Sequence, residues 1–198
     1  MKTLLTLFVL FFLSSVFADN ISDFEIEGMS IGESALKYLD EEEIQKQIKQ
    51  NEYMYDYLKE PGKFGHVSIY SGLTQYSFVT IYVSFDDIYT IEGINANIHS
   101  TITSNKELNS CLKKMQEVEK VFSQIFNNYQ TIENIADHPI DSTGRSKVHY
   151  IKFIFDSGDN AQLQCFDFEE KLRIKNNWSD GLSVIVRKNE VSKWMQDR

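Results

Sequence analysis

The stretch Ser104–Asn127 constrains this chain more than any other, because its type, orientation and tether can all be read from residues. Apolar side chains fall at Leu108, Cys111, Leu112, Met115, Val118, Phe122, Ile125 and Phe126, the spacing of a helix with one buried stripe. Ser104-Asn105-Lys106-Glu107 before it has the form of a capping box. Lys113, Lys114, Glu117, Lys120 and Gln124 take the opposite face. Such a helix must bury its stripe, which is expected to face the apolar surface of Val79, Ile81, Val83 and Phe85, and Cys111 lies inside that stripe. The second cysteine of the chain, Cys165, lies in a later β-rich segment. The pattern predicts a central helix stapled to a sheet.

The first residues bear on whether that staple can form. Met1-Lys2-Thr3 precedes an apolar run from Leu4 to Leu13, and Val16-Phe17-Ala18 precedes Asp19. One positive charge, a short apolar core and small residues before the junction describe a secretory signal peptide. The run is short for a membrane span, which needs about 20 residues; a retained N-terminal anchor is the alternative. The expected organisation is a signal peptide over 1–18 and one domain over 19–198, in a periplasmic or secreted protein. Two cysteines in an exported chain read as one disulfide. Neither a C-x-x-C spacing nor a cysteine–histidine neighbour favours a reactive thiol pair. A bridge closing a loop of this length stabilises by roughly 4 kcal/mol in the chain-entropy picture.

The net charge is −9, and one unit more negative once Lys2 leaves with the leader. An acidic chain has no electrostatic footprint for nucleic acid and is repelled by anionic lipid. The expected partner is an envelope or extracellular protein or component, without nucleic acid and without stable membrane insertion.

Along the chain, Ser30-Ile31-Gly32-Glu33 forms a second capping-box pattern, and helical spacing runs on to about Gln50 with a restart at Asp40. Phe64–Tyr70, Phe78–Phe85 and Ile88–Ile98 read as strands. In the last, the apolar phase flips across Gly93, which predicts a bulge or bend. After the central helix, residues 129–146 read as a long connection. Lys147–Phe155, Ala161–Phe168 and Leu182–Arg187 read as strands, and Asn189 opens a short C-terminal helix. The class is α+β: an antiparallel sheet of about five to six strands, a central helix on one face, N-terminal helices and a short C-terminal helix.

Several fragments together resemble small exported proteins of unknown function from marine bacteria. Ile26-Glu27-Gly28-Met29-Ser30-Ile31-Gly32-Glu33-Ser34 is similar to their opening, and Tyr89-Thr90-Ile91-Glu92-Gly93-Ile94 to the strand before a cysteine-bearing helix. Cys111-Leu112-Lys113-Lys114 is similar to that helix's start. Gln164-Cys165-Phe166-Asp167-Phe168, Asp180-Gly181-Leu182-Ser183-Val184 and Trp194-Met195 are similar to the closing strands and helix. Phe168 stands where that family has tryptophan. The resemblance implies the fold and the disulfide and no activity.

The chemistry-bearing residues are sparse. His66, His99, His138 and His149 show no chelating spacing, and Asp156-Ser157-Gly158-Asp159-Asn160 lacks the ligand pattern of an EF-hand. No catalytic, cofactor-binding or metal-ligating residues are accordingly expected. Tyr53, Tyr55, Tyr57, Tyr70 and Tyr82 cluster in the first half and form a candidate recognition surface, since tyrosine joins an apolar body to a polar tip. Packing under the N-terminal helices is the plainer reading of the same residues. The expected function is a non-enzymatic exported domain that binds a protein or envelope component. The alternative is an exported hydrolase assembled from His149, Asp156 and Asp167, which requires those three side chains to meet in a cleft.

Overall fold

The computed structural model describes residues 21–100, 102 and 104–197; the expected leader lies outside them. A 3-10 turn, Ile21–Asp23, leads into a hairpin of β1 (Glu25–Ile26) and β2 (Met29–Ser30). A second 3-10 turn, Ala35–Lys37, precedes α1 (Glu41–Gln50). Then come β3 (Gly65–Ile69), β4 (Phe78–Val83), β5 (Ile91–Ser100) and α2 (Asn105–Ile125). The second half holds β6 (Tyr129–Asp137), β7 (Lys147–Phe155), β8 (Asn160–Asp167), α3 (Glu170–Asn176), β9 (Asp180–Arg187) and α4 (Asn189–Gln196).

β3 to β9 form one antiparallel sheet in the order β3-β4-β5-β9-β8-β7-β6. Two meanders therefore start at opposite edges and meet in the middle, where β5 pairs with β9. This arrangement leaves β5 and β6 pointing the same way, so their connection must return along one face of the sheet. α2 is that connection: its 21 residues span about 31 Å at 1.5 Å per residue.

Cross-strand partners share a face, so the register sorts the side chains. One row reads Val67, Ile81, Ile94, Val186, Ala161 and Phe153; the next reads Ile69, Val79, Ala96, Val184, Leu163 and Ile151. All twelve are buried. The helical layer covers this face: α2 packs across β8 and β9, and α1 packs on β3. Phe122 of α2 is fully buried, with its ring 4.8 Å from Phe24, 5.3 Å from Phe126 and 5.4 Å from Phe153. Cys111 and Cys165 form the disulfide, with Cα atoms 6.1 Å apart. Among the described residues no helix is long and apolar enough to cross a membrane.

Several expectations change. Among the described residues the main sheet has seven strands rather than five to six, because the segment read as a connection contains β6. β6 is an edge strand, and most of it is exposed on both faces. Ile132 and Ile135 fall on opposite sides, so no alternation marks it. α3 was not anticipated. α2 does not lie on the Val79, Ile81, Val83 and Phe85 surface as its main seat: the first three are buried within the same large core, and Phe85 is 56% exposed. Ser104 precedes α2, but its hydroxyl bonds the Glu107 carboxylate at 3.1 Å instead of a backbone amide. Ser30 and Glu33 do bond, yet the following 3-10 turn is capped by Ser34, and Asp40 caps α1 through the Glu43 amide at 2.8 Å. The bulge at Gly93 is present: Tyr82 pairs with Gly93 and Val83 with Ile91, leaving Glu92 as the extra residue.

Candidate functional site

The face of the sheet turned away from α2 is built differently. Its rows read Ser68, Thr80, Asn95, Ile185, Gln162 and Lys152, then Phe78, Asn97, Ser183, Gln164 and Tyr150. Amides and hydroxyls occupy positions that in the opposite rows carry aliphatic side chains. They bond to one another along and across the strands. Asn160 Nδ2 donates to Ser192 Oγ at 2.7 Å, Gln162 Nε2 to Asn160 Oδ1 at 2.7 Å and Gln164 Nε2 to Gln162 Oε1 at 3.2 Å. Ser183 Oγ donates to Asn97 Oδ1, and Asn97 Nδ2 to the Asn95 carbonyl at 3.2 Å. The Asn95 Oδ1 is buried with no hydrogen-bond partner, an unusual state for a buried acceptor.

At one end this face deepens into a cleft of about 410 Å³ floored by Asn95, Asn97, Ser183 and Gly181. Gly181 stands between His99 and Phe166 in the register. Its φ of +135° and its approach to the Ile98 carbonyl leave no room for a Cβ, so the floor stays open between aromatic walls. On one side Phe78 packs edge-on to His99 at 4.9 Å and under Tyr70 at 5.8 Å. On the other, Phe166 stacks on Phe168 at 5.4 Å, and Phe168 meets Trp178 at 4.9 Å. His138 backs that wall, 5.0 Å from Phe168, and burial lowers its pKa although Asp141 opposes the shift.

Local chemistry fixes the second wall. Glu169 caps α3 through the Leu172 amide, and Asn177 ends α3 with φ of 53°, turning the chain so that Trp178 lines the cleft. Asp180 is buried and accepts from the amides of Phe168 at 2.8 Å and Ile102 at 3.0 Å, with Arg173 at 3.6 Å. One carboxylate thus ties the aromatic wall to the chain leading into α2.

The other end of the face is covered. α4 and the turn before residue 60 close over it, with Trp194 Nε1 donating to the Glu60 carbonyl at 2.6 Å. Val191 and Trp194 of α4 form a small core there with Leu58, Phe64 and Tyr82. Arg187 lies against the Tyr82 ring at 5.5 Å. Lys152 has a lowered pKa, from burial first and then from the charge of Arg187.

The tyrosines expected to form one recognition surface are dispersed. Tyr82 is buried and leaves the set. Tyr55 is largely covered, bonded to the Tyr82 hydroxyl at 3.2 Å and packed 4.9 Å from Trp194. Tyr53 and Tyr57 are exposed on the outer turn, and Tyr70 is exposed at the cleft rim. His149, Asp156 and Asp167 do not meet in one cleft. His149 and Asp167 are near enough to interact at one end of β7 and β8. Asp156 follows β7 at its far end, seven residues on from His149, about 23 Å along an extended strand. Among the described residues no group of three or more His, Cys, Asp and Glu is placed to hold a metal.

The residues of the open face were missed, although a signal was present. Asn95-Ala96-Asn97 and Asn160-Ala161-Gln162-Leu163-Gln164-Cys165 alternate amides with core residues. A strand face facing only solvent carries charges more readily than amides. No family model, no curated protein and no solved structure matches this chain.

Proposed function

We propose that this chain is an exported, non-enzymatic domain that binds a saccharide chain of the envelope or its surroundings on the open face of the sheet. The observation that carries the reading is the cleft around Gly181: amide and hydroxyl groups on its floor and aromatic rings on both walls. Sugars offer C–H faces that stack on rings, and hydroxyls that donate to and accept from amides. Pockets of this size combine apolar walls with a few placed polar groups. The unpartnered Asn95 acceptor supports the same reading, because a ligand hydroxyl would satisfy it. The Cys111–Cys165 bridge fits an oxidising compartment.

Affinity electrophoresis through gels containing soluble neutral and acidic polysaccharides tests the proposal. At least one polysaccharide should retard the protein, and Trp178→Ala and Asn97→Ala should each abolish the retardation while retaining the wild-type circular dichroism spectrum. Equal mobility in every gel, or retardation unchanged in both variants, would contradict it.

A further inference from the structure

The face turned away from α2 holds two positive charges without an ion-pair partner among the described residues, Lys152 and, at the covered end beside Tyr82, Arg187. Lys152 pairs across the sheet with Gln162, and Arg187 pairs with Asn160 two residues back along the same strand. Their strands flank β8, so the backbones stand about 10 Å apart. The charge of Arg187 is felt at Lys152. Like charges held together while half-buried destabilise the fold unless an anion joins them.

The fold supplies no such anion. Among the described residues no carboxylate lies within 4.0 Å of either cation. The nearby carboxylate of Glu92, in the bulge, is taken by Lys188 at 2.8 Å. The chain carries 29 acidic residues, yet none occupies a strand position on this face in the register of β3 to β9. Arg187 Nε is buried and has no acceptor. Its guanidinium lies against Tyr82, which fixes the group for charge-assisted bonding.

We infer that Lys152 and Arg187 form an anion subsite where the open part of the face meets its covered end, taking a carboxylate or sulfate ester carried by the bound saccharide. The identity of the carrier rests on the saccharide reading; the anion subsite rests on the cations alone. The ligand is then an acidic polysaccharide segment, with its sugar rings toward Gly181 and its anionic substituent over β8. This resolves how an acidic protein would hold an acidic polymer: repulsion from the rest of the surface is screened at physiological salt, and the contact face is locally positive.

The test uses the full chain labelled with nitrogen-15 and titrated at constant ionic strength with glucuronate, glucose 6-sulfate and the methyl ester of glucuronate. Arg187 Nε–H and the side-chain amide of Asn97 are the two reporters. A saturable shift of Arg187 Nε–H with either anion, absent with the ester and weakened about fivefold or more by Lys152→Gln, supports the inference; which anion acts separates carboxylate from sulfate. Lys152→Arg should retain the shift. Equal Arg187 shifts with the ester overturn the subsite. If the ester moves only Asn97, the subsite falls and the saccharide reading stands. Anion-specific movement of Arg187 with Asn97 unmoved by all three sustains the subsite and removes the saccharide reading. No shift at either reporter overturns both.

Discussion

Gly181 of β9 meets the carbonyl of Ile98 in β5 so closely that a Cβ on the glycine would overlap that oxygen. The contact sits at the junction of the two meanders and forms the floor of the cleft. One position thus serves both the closure of the sheet and the opening of the site. Gly181→Ala should destabilise the protein by about 1–3 kcal/mol or more, because it combines backbone strain with overlap. Thermal denaturation checks this; an unchanged midpoint would show that the approach is relaxed in solution.

The disulfide joins α2 to β8, where α2 has its main seat. The double variant Cys111→Ser, Cys165→Ser should lose about 4 kcal/mol, from a cross-link closing a 54-residue separation. Denaturant titration measures the loss, and thiol titration of the unfolded, unreduced wild type should find no free thiol from this pair.

Phe122 is fully buried among Phe24, Phe126 and Phe153. Phe122→Ala should cost about 3–5 kcal/mol, and Met115→Ala about 2–5 kcal/mol. A loss below about 0.5 kcal/mol at both, the ordinary scale of surface substitutions, would mean that the stripe of α2 is not seated on the sheet.

How much of this was legible depends on where each signal resides. The strands around Ile81 and Val184 are buried on both faces and show as β-rich apolar runs, while the stripe from Leu108 to Phe126 is marked by burial on one face, so periodicity reveals it. The bulge at Gly93 showed as a phase flip for the same reason. β6 carries no such mark, since an edge strand exposed on both faces has no core side to impose alternation. The seat of α2 on β8 and β9 depends on the order in which the two meanders meet, and local spacing does not encode that order. The site was hidden differently. Tyr82 has the composition of a recognition residue and is buried under α4, whereas Asn95, Asn97 and Gln164 stand on the cleft side of the sheet with an inconspicuous alternation.

His66 provides a pH test of the covered end of the face. Its ring packs 5.7 Å from Tyr55 and 5.6 Å from Tyr82, its Nδ1 is buried without a partner, and burial pushes its pKa down from 6.5 to about 4. The unfolded chain takes up the proton first as pH falls. The contribution of neutral His66 is therefore complete above pH 6.5 and is lost as pH falls toward 4, by roughly 3 kcal/mol. His99 and His138 shift in the same direction and add to the slope. Urea titrations between pH 7 and pH 4 should show a shallower loss in His66→Phe than in wild type; identical slopes would contradict a buried neutral imidazole.

The central claim is that the open face, with its cleft at Gly181, is where the ligand lies. A glycan array probed in parallel with the labelled wild type, Trp178→Ala and Asn97→Ala measures this most directly. The account predicts that the wild type retains a defined set of glycans, that acidic members dominate the set, and that both variants lose them. Absence of any retained glycan, or retention unaltered by both substitutions, would contradict it.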